Sequence, residues 1–177
     1  MTLAPLIEED GDWHSGVKEE QVTKLRDEIT FKGKIRITKH DIITDKITVN
    51  YYDNIVTTAG RNAICRRMAN AGSYVNEGVI TYVAVGTNTS IPVAGDIQLG
   101  AELYRKVPTS ILASTNVLSI SIYFGTTEAI GSLREFGLFG EAASAAANSG
   151  TLFDRASINE TKTGTNTLTI DATLTLA

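Results

Sequence analysis

Apolar and polar residues alternate with a period of two along most of this chain, and this pattern predicts β-strands. The clearest example is residues 167–176, where apolar side chains occupy one face and threonines with Asp171 occupy the other. Residues 30–53 show the same alternation on both sides of a turn at 41–46, which predicts a hairpin. The pattern predicts about eight short strands, and therefore a mainly β protein built as an antiparallel β-sandwich of jelly-roll or immunoglobulin-like type.

The hairpin at residues 30–53 should have one buried face and one wet face. On its first strand the apolar residues share one face and the basic residues share the other. The apolar set is Phe31, Ile35 and Ile37, and the basic set is Lys32, Lys34 and Arg36. Its return strand alternates two further sets, Ile47, Val49 and Tyr51 with Thr48, Asn50 and Tyr52. The basic row is a candidate interface for an acidic partner or nucleic acid, although such cations more often only keep an exposed strand soluble.

Residues 1–28 differ from the rest and predict an extended arm followed by a short helix, with the sandwich domain at 29–177. Val22, Leu25 and Ile29 fall at i, i+3 and i+7, so they share one helical face that can lie on the sandwich or on another subunit. Trp13 stands alone in the polar arm. It either packs on its own domain or inserts into a neighbouring subunit, so Trp13, Val22 and Leu25 are candidate interface residues.

A second short helix is predicted after Thr57 or Thr58, either of which can act as its N-cap, and it should continue to about residue 70. Four side chains are expected to face the sheet: Ala63, Ile64, Met68 and Ala69. Gly72 is suited to end the helix. We expect this helix to plug one end of the β structure.

Further strands are predicted in the second half of the chain. Their segments are 79–85, a hairpin formed by 103–112 and 117–124, a strand at 132–139, and a closing pair at 151–158 and 167–176 with its turn at 159–165. Residues 86–100 and 141–149 are interpreted as loops, because glycine, proline and alanine interrupt the alternation there.

Arg134 and Glu135 form a charge pair inside the otherwise apolar stretch Leu133-Arg-Glu-Phe-Gly-Leu-Phe. Adjacent strand residues point to opposite faces, so the two cannot pair with each other and each needs its own partner. The favoured interpretation is cross-strand pairing within the chain, with Arg155, Asp154 or Lys162 as examples of partners. The alternative is a contact between subunits, which makes both residues candidate interface positions.

The composition and the motifs argue against catalysis and against metal or cofactor binding. The net charge is −4 with a pI near 5.2, which disfavours a nucleic-acid binder. Cys65 is the only cysteine, so neither an intrachain disulfide nor a cysteine-rich zinc site can form. His14 and His40 stand outside metal-binding spacings, and nucleophile-elbow and phosphate-loop motifs are absent. We therefore expect no enzyme, no catalytic or metal residues and no cofactor.

No membrane or secretion signal is expected from the sequence. Runs of about eighteen apolar residues, which a membrane-spanning helix needs, do not occur. The first residues lack the basic start and the long apolar stretch of a secretory signal. We therefore predict no membrane partner.

Three segments between residue 54 and the C-terminus together resemble phage tail-collar fibre and related tail structural proteins. They are Asn54-Ile-Val-Thr-Thr-Ala-Gly-Arg-Asn-Ala-Ile, then Tyr82-Val-Ala-Val-Gly-Thr-Asn-Thr, then the Leu133 stretch with Gly150-Thr-Leu-Phe-Asp-Arg and the ending at 162–176. The resemblance implies a virion structural protein that assembles with copies of itself, as a trimer or ring, and with other virion proteins. It covers about two-thirds of the chain.

The resemblance favours the tail region of a tailed bacteriophage: a tail, collar, baseplate or fibre-attachment subunit. Tail-collar fibre proteins continue past this domain into a shaft, so we expect a compact adaptor in place of a receptor-binding fibre. Two alternatives stay open. One is a capsid decoration or head-fibre protein; the other is a carbohydrate-binding sandwich that uses exposed tyrosines on a host-surface glycan.

Overall fold

The computed structural model describes residues 29–69 and 78–177. Within them the chain forms ten strands and one helix. The strands are β1 (Phe31–Asp41), β2 (Lys46–Asp53), β3 (Ile55–Val56), β4 (Ile80–Gly86), β5 (Glu102–Lys106), β6 (Ser110–Ser114), β7 (Val117–Phe124), β8 (Gly131–Gly140), β9 (Thr151–Lys162) and β10 (Asn166–Leu176). The helix, α1, is Thr58–Ala69.

The strands form two five-stranded sheets that pack face to face. The first sheet has the order β2-β1-β10-β7-β6, the second has the order β3-β9-β8-β4-β5, and neighbouring strands are antiparallel. The predicted antiparallel β-sandwich is therefore confirmed. The predicted arm and first helix at 1–28, with Trp13, Val22 and Leu25, lie outside the described residues.

The main core lies between the two sheets and follows the alternation seen in the sequence. From the first sheet it receives Ile35 and Ile37 of β1 and every second residue of β10 from Leu168 to Leu174. Phe136 and Leu138 of β8 face them from the second sheet. Each fully buried side chain of this kind contributes about 1.5–3 kcal/mol, so the alternation of β1 and β10 directly specifies this layer.

The second sheet is also covered on its outer side, by a smaller apolar cluster. Ala84, Leu99, Phe139 and Leu152 form this cluster, with Ala143 packed against it. Leu99 comes from the loop at 87–101 and Ala143 from the loop at 141–150. Because these two loops form a third layer, the inner strand β8 is buried on both faces from residue 135 to residue 140.

Two predicted strand pairings are wrong because the chain changes sheet between the strands. Residues 103–112 are not one strand: they break at Pro108, with β5 in the second sheet and β6 in the first. Proline has no N–H for a ladder and so ends the pairing there. The closing pair is likewise split, because β9 belongs to the second sheet and β10 to the first. The true hairpin partner of β7 is β6.

Helix α1 begins as predicted, with Thr57 as its N-cap. The Thr57 Oγ1 accepts a hydrogen bond from the Gly60 N–H at 2.9 Å, and the Thr57 carbonyl accepts one from the Arg61 N–H at 3.0 Å. Gly60 and Ala63 are the buried residues of the helix. Met68, predicted to face the sheet, is 77% exposed, because the contact with β9 is made by the first two turns.

The predicted helix end at Gly72 lies outside the described residues.

Candidate interaction surfaces

The three basic candidates of β1 lie on the outer face of the first sheet. Lys32, Lys34 and Arg36 are exposed, while Ile35 and Ile37 between and beyond them are buried. Arg36 forms an ion pair across to Asp171 of β10, with Nη1 and Oδ2 3.2 Å apart. The sequence therefore placed these cations on the correct face.

The neighbouring strand β2 is oriented so that its apolar side chains point outward. Tyr52 lies opposite Ile35 and Asn50 lies opposite Ile37, which puts both polar residues on the core side. Ile47, Val49 and Tyr51 then share the outer face with Arg36. They are 60%, 38% and 69% exposed. The apolar side chains of this strand are therefore the ones exposed to solvent.

A buried carboxylate explains this orientation of β2. Glu160 of β9 is buried, and it accepts hydrogen bonds from Asn50 Nδ2 at 2.6 Å and from the Tyr52 hydroxyl at 2.8 Å. Lys39 of β1 supplies a third donor at 3.2 Å. Burial, with the adjacent Glu160, raises the pKa of Tyr52 to about 12. Turning β2 over would leave the buried Glu160 carboxylate without two of these donors, which is strongly unfavourable.

The outward residues of β2 form the β2 patch, defined here as Ile47, Val49 and Tyr51 with Ile42 and Ile43 of the preceding turn. Ile42 and Ile43 are also exposed. Among the described strands β2 lies at the edge of its sheet, so the backbone N–H and C=O groups of its outer side lie beside this patch. An exposed apolar edge of this kind is typical of a surface that binds another protein.

Glu135 is the centre of a buried ionic network. It is 1% exposed, and Arg155 Nη2 lies 2.9 Å from its Oε2, which confirms Arg155 as its cross-strand partner. Three backbone N–H groups, from Asn88, Gly100 and Ala101, also donate to its carboxylate at 3.3, 2.8 and 2.7 Å. All the bonding capacity of Glu135 is therefore directed at its own chain.

The same network holds the loop at 87–101. Asp96 in this loop accepts a hydrogen bond from Arg155 Nη1 and another from the Val93 N–H. Burial raises the pKa of Asp96, but the Val93 and Arg155 hydrogen bonds outweigh it and leave the pKa below its ordinary value. Ile91, Val93 and Ile97 are exposed on this loop. The network therefore presents a second apolar surface on a fixed backbone.

Arg134 makes no ion pair within the described part of the chain. Its Nη1 donates to the carbonyl oxygens of Leu133 and Glu160, each at 2.9 Å. The expected charged cross-strand partner is thus replaced by backbone acceptors, because the pairing of β8 with β9 is shifted between residues 133 and 135.

An apolar cleft of about 500 Å³ opens at the end of the sandwich where β1 begins and β10 ends. Its walls are Phe31, Ile55, Ile64, Met68 and Leu176, and Asn54 and Arg61 are polar residues at its margin. Nothing in the sequence indicates this cleft, since its walls come from four separate elements.

Asp154 of β9 lies buried beneath Asn54, whose Nδ2 donates to its Oδ2. Among the described residues, Asp154 Oδ1 and Asn54 Oδ1 have no hydrogen-bond partner. Burial raises the pKa of Asp154 well above its ordinary value of 3.8, against the opposing effect of Asn54. Asn54 reaches this position over Gly33, where any Cβ would overlap the Asn54 side chain.

We expect the Asp154→Asn variant to be more stable than the wild type at pH 7. Below pH 3.8 the Asp154 carboxyl is protonated in both the folded and the unfolded chain. As the pH rises towards the raised pKa of the folded state, the unfolded chain releases its proton first, and the wild type therefore loses stability. The variant lacks this loss. Urea unfolding from pH 3 to pH 8 measures it. Asp53→Asn, at an exposed site, is the control and should change stability by less than about 0.5 kcal/mol. A variant less stable than the wild type only at neutral pH would contradict this prediction.

No grouping for metal chemistry or membrane insertion is found in the described residues. Residues 29–69 and 78–177 contain no cluster of three or more His, Cys, Asp or Glu side chains that could hold a metal ion. No helix in the same residues has the length and apolarity needed to cross a membrane. Comparisons of the chain with family models, curated proteins and solved structures give no match.

Proposed function

We propose that this protein is a non-enzymatic structural subunit of a tailed-phage virion, acting in the tail, collar, baseplate or fibre attachment by assembly with copies of itself and with other virion proteins. The observation that carries the assembly role is the β2 patch, an apolar outer face on a strand that lies at the sheet edge in the described part of the chain. The resemblance of residues 54–177 to tail structural proteins supports the virion setting.

The β2 patch fits self-association better than solvent exposure does. Natural edge strands are normally protected by charges or covered by other elements. Here the charged residues of β2 stand only at its two ends, at Lys46 and Asp53, and the row of Lys32, Lys34 and Arg36 lies on the neighbouring strand. In a symmetric assembly each copy repeats the same contact, so modest pairwise affinity is multiplied in a trimer or ring. The cations then form the polar rim of the interface.

We expect the Val49→Asp variant to weaken self-association at least about tenfold, because a carboxylate would be buried without a partner at the centre of the contact. Sedimentation equilibrium over a concentration series measures this. Leu112→Asp is the matched control, since Leu112 is an exposed apolar residue on β6, the other edge strand of the same sheet. Equal weakening by both variants, or a wild type that stays monomeric, would contradict the role of the β2 patch.

The virion setting has its own test. Mass spectrometry of purified particles, with heads and tails separated, should find the chain in the tail fraction. Recovery only from the head fraction favours the decoration or head-fibre alternative. Recovery only as free protein in the infected-cell lysate would overturn the virion proposal.

A carbohydrate-binding module is a second candidate, favoured by one observation. Tyr51 and Tyr123 are exposed on the outer face of the first sheet, on either side of Asp171. Three strand spacings separate their strands, which is about 14 Å. Glycan-array binding that is lost in the Tyr51→Ala and Tyr123→Ala variants would favour this function over assembly.

A further inference from the structure

The cleft at the end of the sandwich is open and apolar. Its walls come from the start of β1, the end of β10, the short strand β3 and the outer part of α1. Met68 is 77% exposed, and Ile55 and Leu176 are also exposed there. Side chains of this kind on three different elements leave a continuous apolar surface that a monomer normally covers.

The chain enters the sandwich at the mouth of this cleft. Ile29, the first described residue, is itself one of the lining residues. The next residue is fixed by backbone pairing: the Thr30 N–H donates to the Ala177 carbonyl at 2.8 Å, and the Ala177 N–H donates to the Thr30 carbonyl at 2.9 Å. The preceding 28 residues therefore start from a fixed position beside the cleft, whatever path they follow.

The segment just before Ile29 has an apolar stripe in register with it. Val22 and Leu25 stand seven and four residues before Ile29, the spacing that places three side chains on one helical face. At 1.5 Å per residue the stripe extends about 10 Å from Ile29. The charges are weakly complementary: Thr58–Ala69 contains three arginines and no acidic residue, whereas residues 17–28 contain four acidic and three basic residues and so carry a net charge of −1.

We propose that residues 17–28 of the same chain cover this cleft, with Val22 and Leu25 seated against Ile64 and Met68. We assign the cleft to this covalently adjacent segment because its apolar stripe ends at Ile29, and Ile29 also lines the cleft. Its tether also gives it an effective concentration that a separate molecule lacks. The inference does not depend on the virion role.

Cys65 gives a direct test, because it is the only cysteine and lines the cleft. In full-length Leu25→Cys, oxidation by copper-phenanthroline in air should join positions 25 and 65 within one chain, seen as a monomer without free thiols. Asp27→Cys is the matched control: it is closer in sequence to the cleft but lies about 200° around the helix from Leu25, and should cross-link at least about tenfold more slowly.

Each outcome decides the proposal. Equal rates in the two variants, or no disulfide in either, would overturn it. A disulfide between two chains would assign the cleft to the segment of a second copy, and so would overturn the same-chain assignment. A second measurement guards against a folding defect: Leu25→Asp should make Cys65 react about tenfold faster with a thiol reagent than in the wild type, whereas Asp27→Asn should not. These readouts are separate from the Val49→Asp test, so either proposal can fail alone.

Discussion

The Glu135→Gln variant should lower the free energy of unfolding by about 3–5 kcal/mol, although glutamine has nearly the same shape as glutamate. Both oxygens of Glu135 accept hydrogen bonds: Oε1 from Asn88 and Ala101, and Oε2 from Gly100 and Arg155. Whichever oxygen becomes an NH₂ group therefore points a donor at other donors. Arg155, which is buried, also loses one of its two carboxylate partners and keeps only Asp96. Equilibrium unfolding in urea measures the change.

The exposed ion pair between Arg36 and Asp171 provides the control for this prediction. It also joins two strands, but its side chains are 46% and 36% exposed. Arg36→Gln should therefore cost only about 0–1 kcal/mol. If the two variants lose similar amounts of stability, the buried network does not anchor the loop at 87–101 as the structure indicates.

The Gly60→Ala variant should lose about 2–3 kcal/mol, the upper part of the usual cost of overpacking. At an open helical site alanine would instead gain about 0.5–1 kcal/mol over glycine. At position 60 a Cβ would lie 2.4 Å from the Phe153 carbonyl oxygen and 2.7 Å from the Phe153 Cα. These are backbone atoms of β9, so α1 has to move away from the sheet. Urea unfolding, with circular dichroism as the probe, measures the loss.

Gly164→Ala is the matched control, because no atom of residues 29–69 or 78–177 lies within 4 Å of the Cβ position at that site. It should change stability by less than about 0.5 kcal/mol. A stabilised Gly60→Ala variant would mean that α1 does not rest on the backbone of β9.

The fold class could be predicted from sequence because it depends on local alternation. Strands β1 and β10 each bury one face and expose the other, so the period of two reveals both their type and their inward residues. The cap at Thr57 was likewise readable, since a threonine that precedes a helical segment is a local signal. These features need no knowledge of distant contacts.

The pairing of strands could not be predicted in the same way. Whether β5 continues into β6, or β9 returns as β10, depends on which sheet each strand joins, and alternation is the same in either sheet. Pro108 was the one local signal for the change of sheet between β5 and β6. The length of the segment 103–112 concealed it, because a single longer strand fits the same apolar pattern.

The candidate surfaces show the same contrast between features set by local sequence and features set by distant contacts. The exposure of Lys32, Lys34 and Arg36 follows from their position opposite Ile35 and Ile37. The outward direction of the β2 patch does not, because Glu160, which holds Asn50 and Tyr52 inward, is more than a hundred residues away in sequence. The partner of Glu135 was predictable as one of a few charged residues, but its three backbone donors were not.

The central place of β10 in the first sheet has a consequence for how the protein is made. Phe31 pairs with Leu176, so this sheet joins the two most distant parts of the described chain. Topologies of such high contact order fold slowly, on the order of milliseconds to seconds. On the ribosome, β1 and β2 emerge early and remain an isolated hairpin, which is marginally stable at best, until the eleven residues of β10 have been synthesised. Synthesis of β10, and not formation of the β1–β2 hairpin, is therefore the event that allows the first sheet to close.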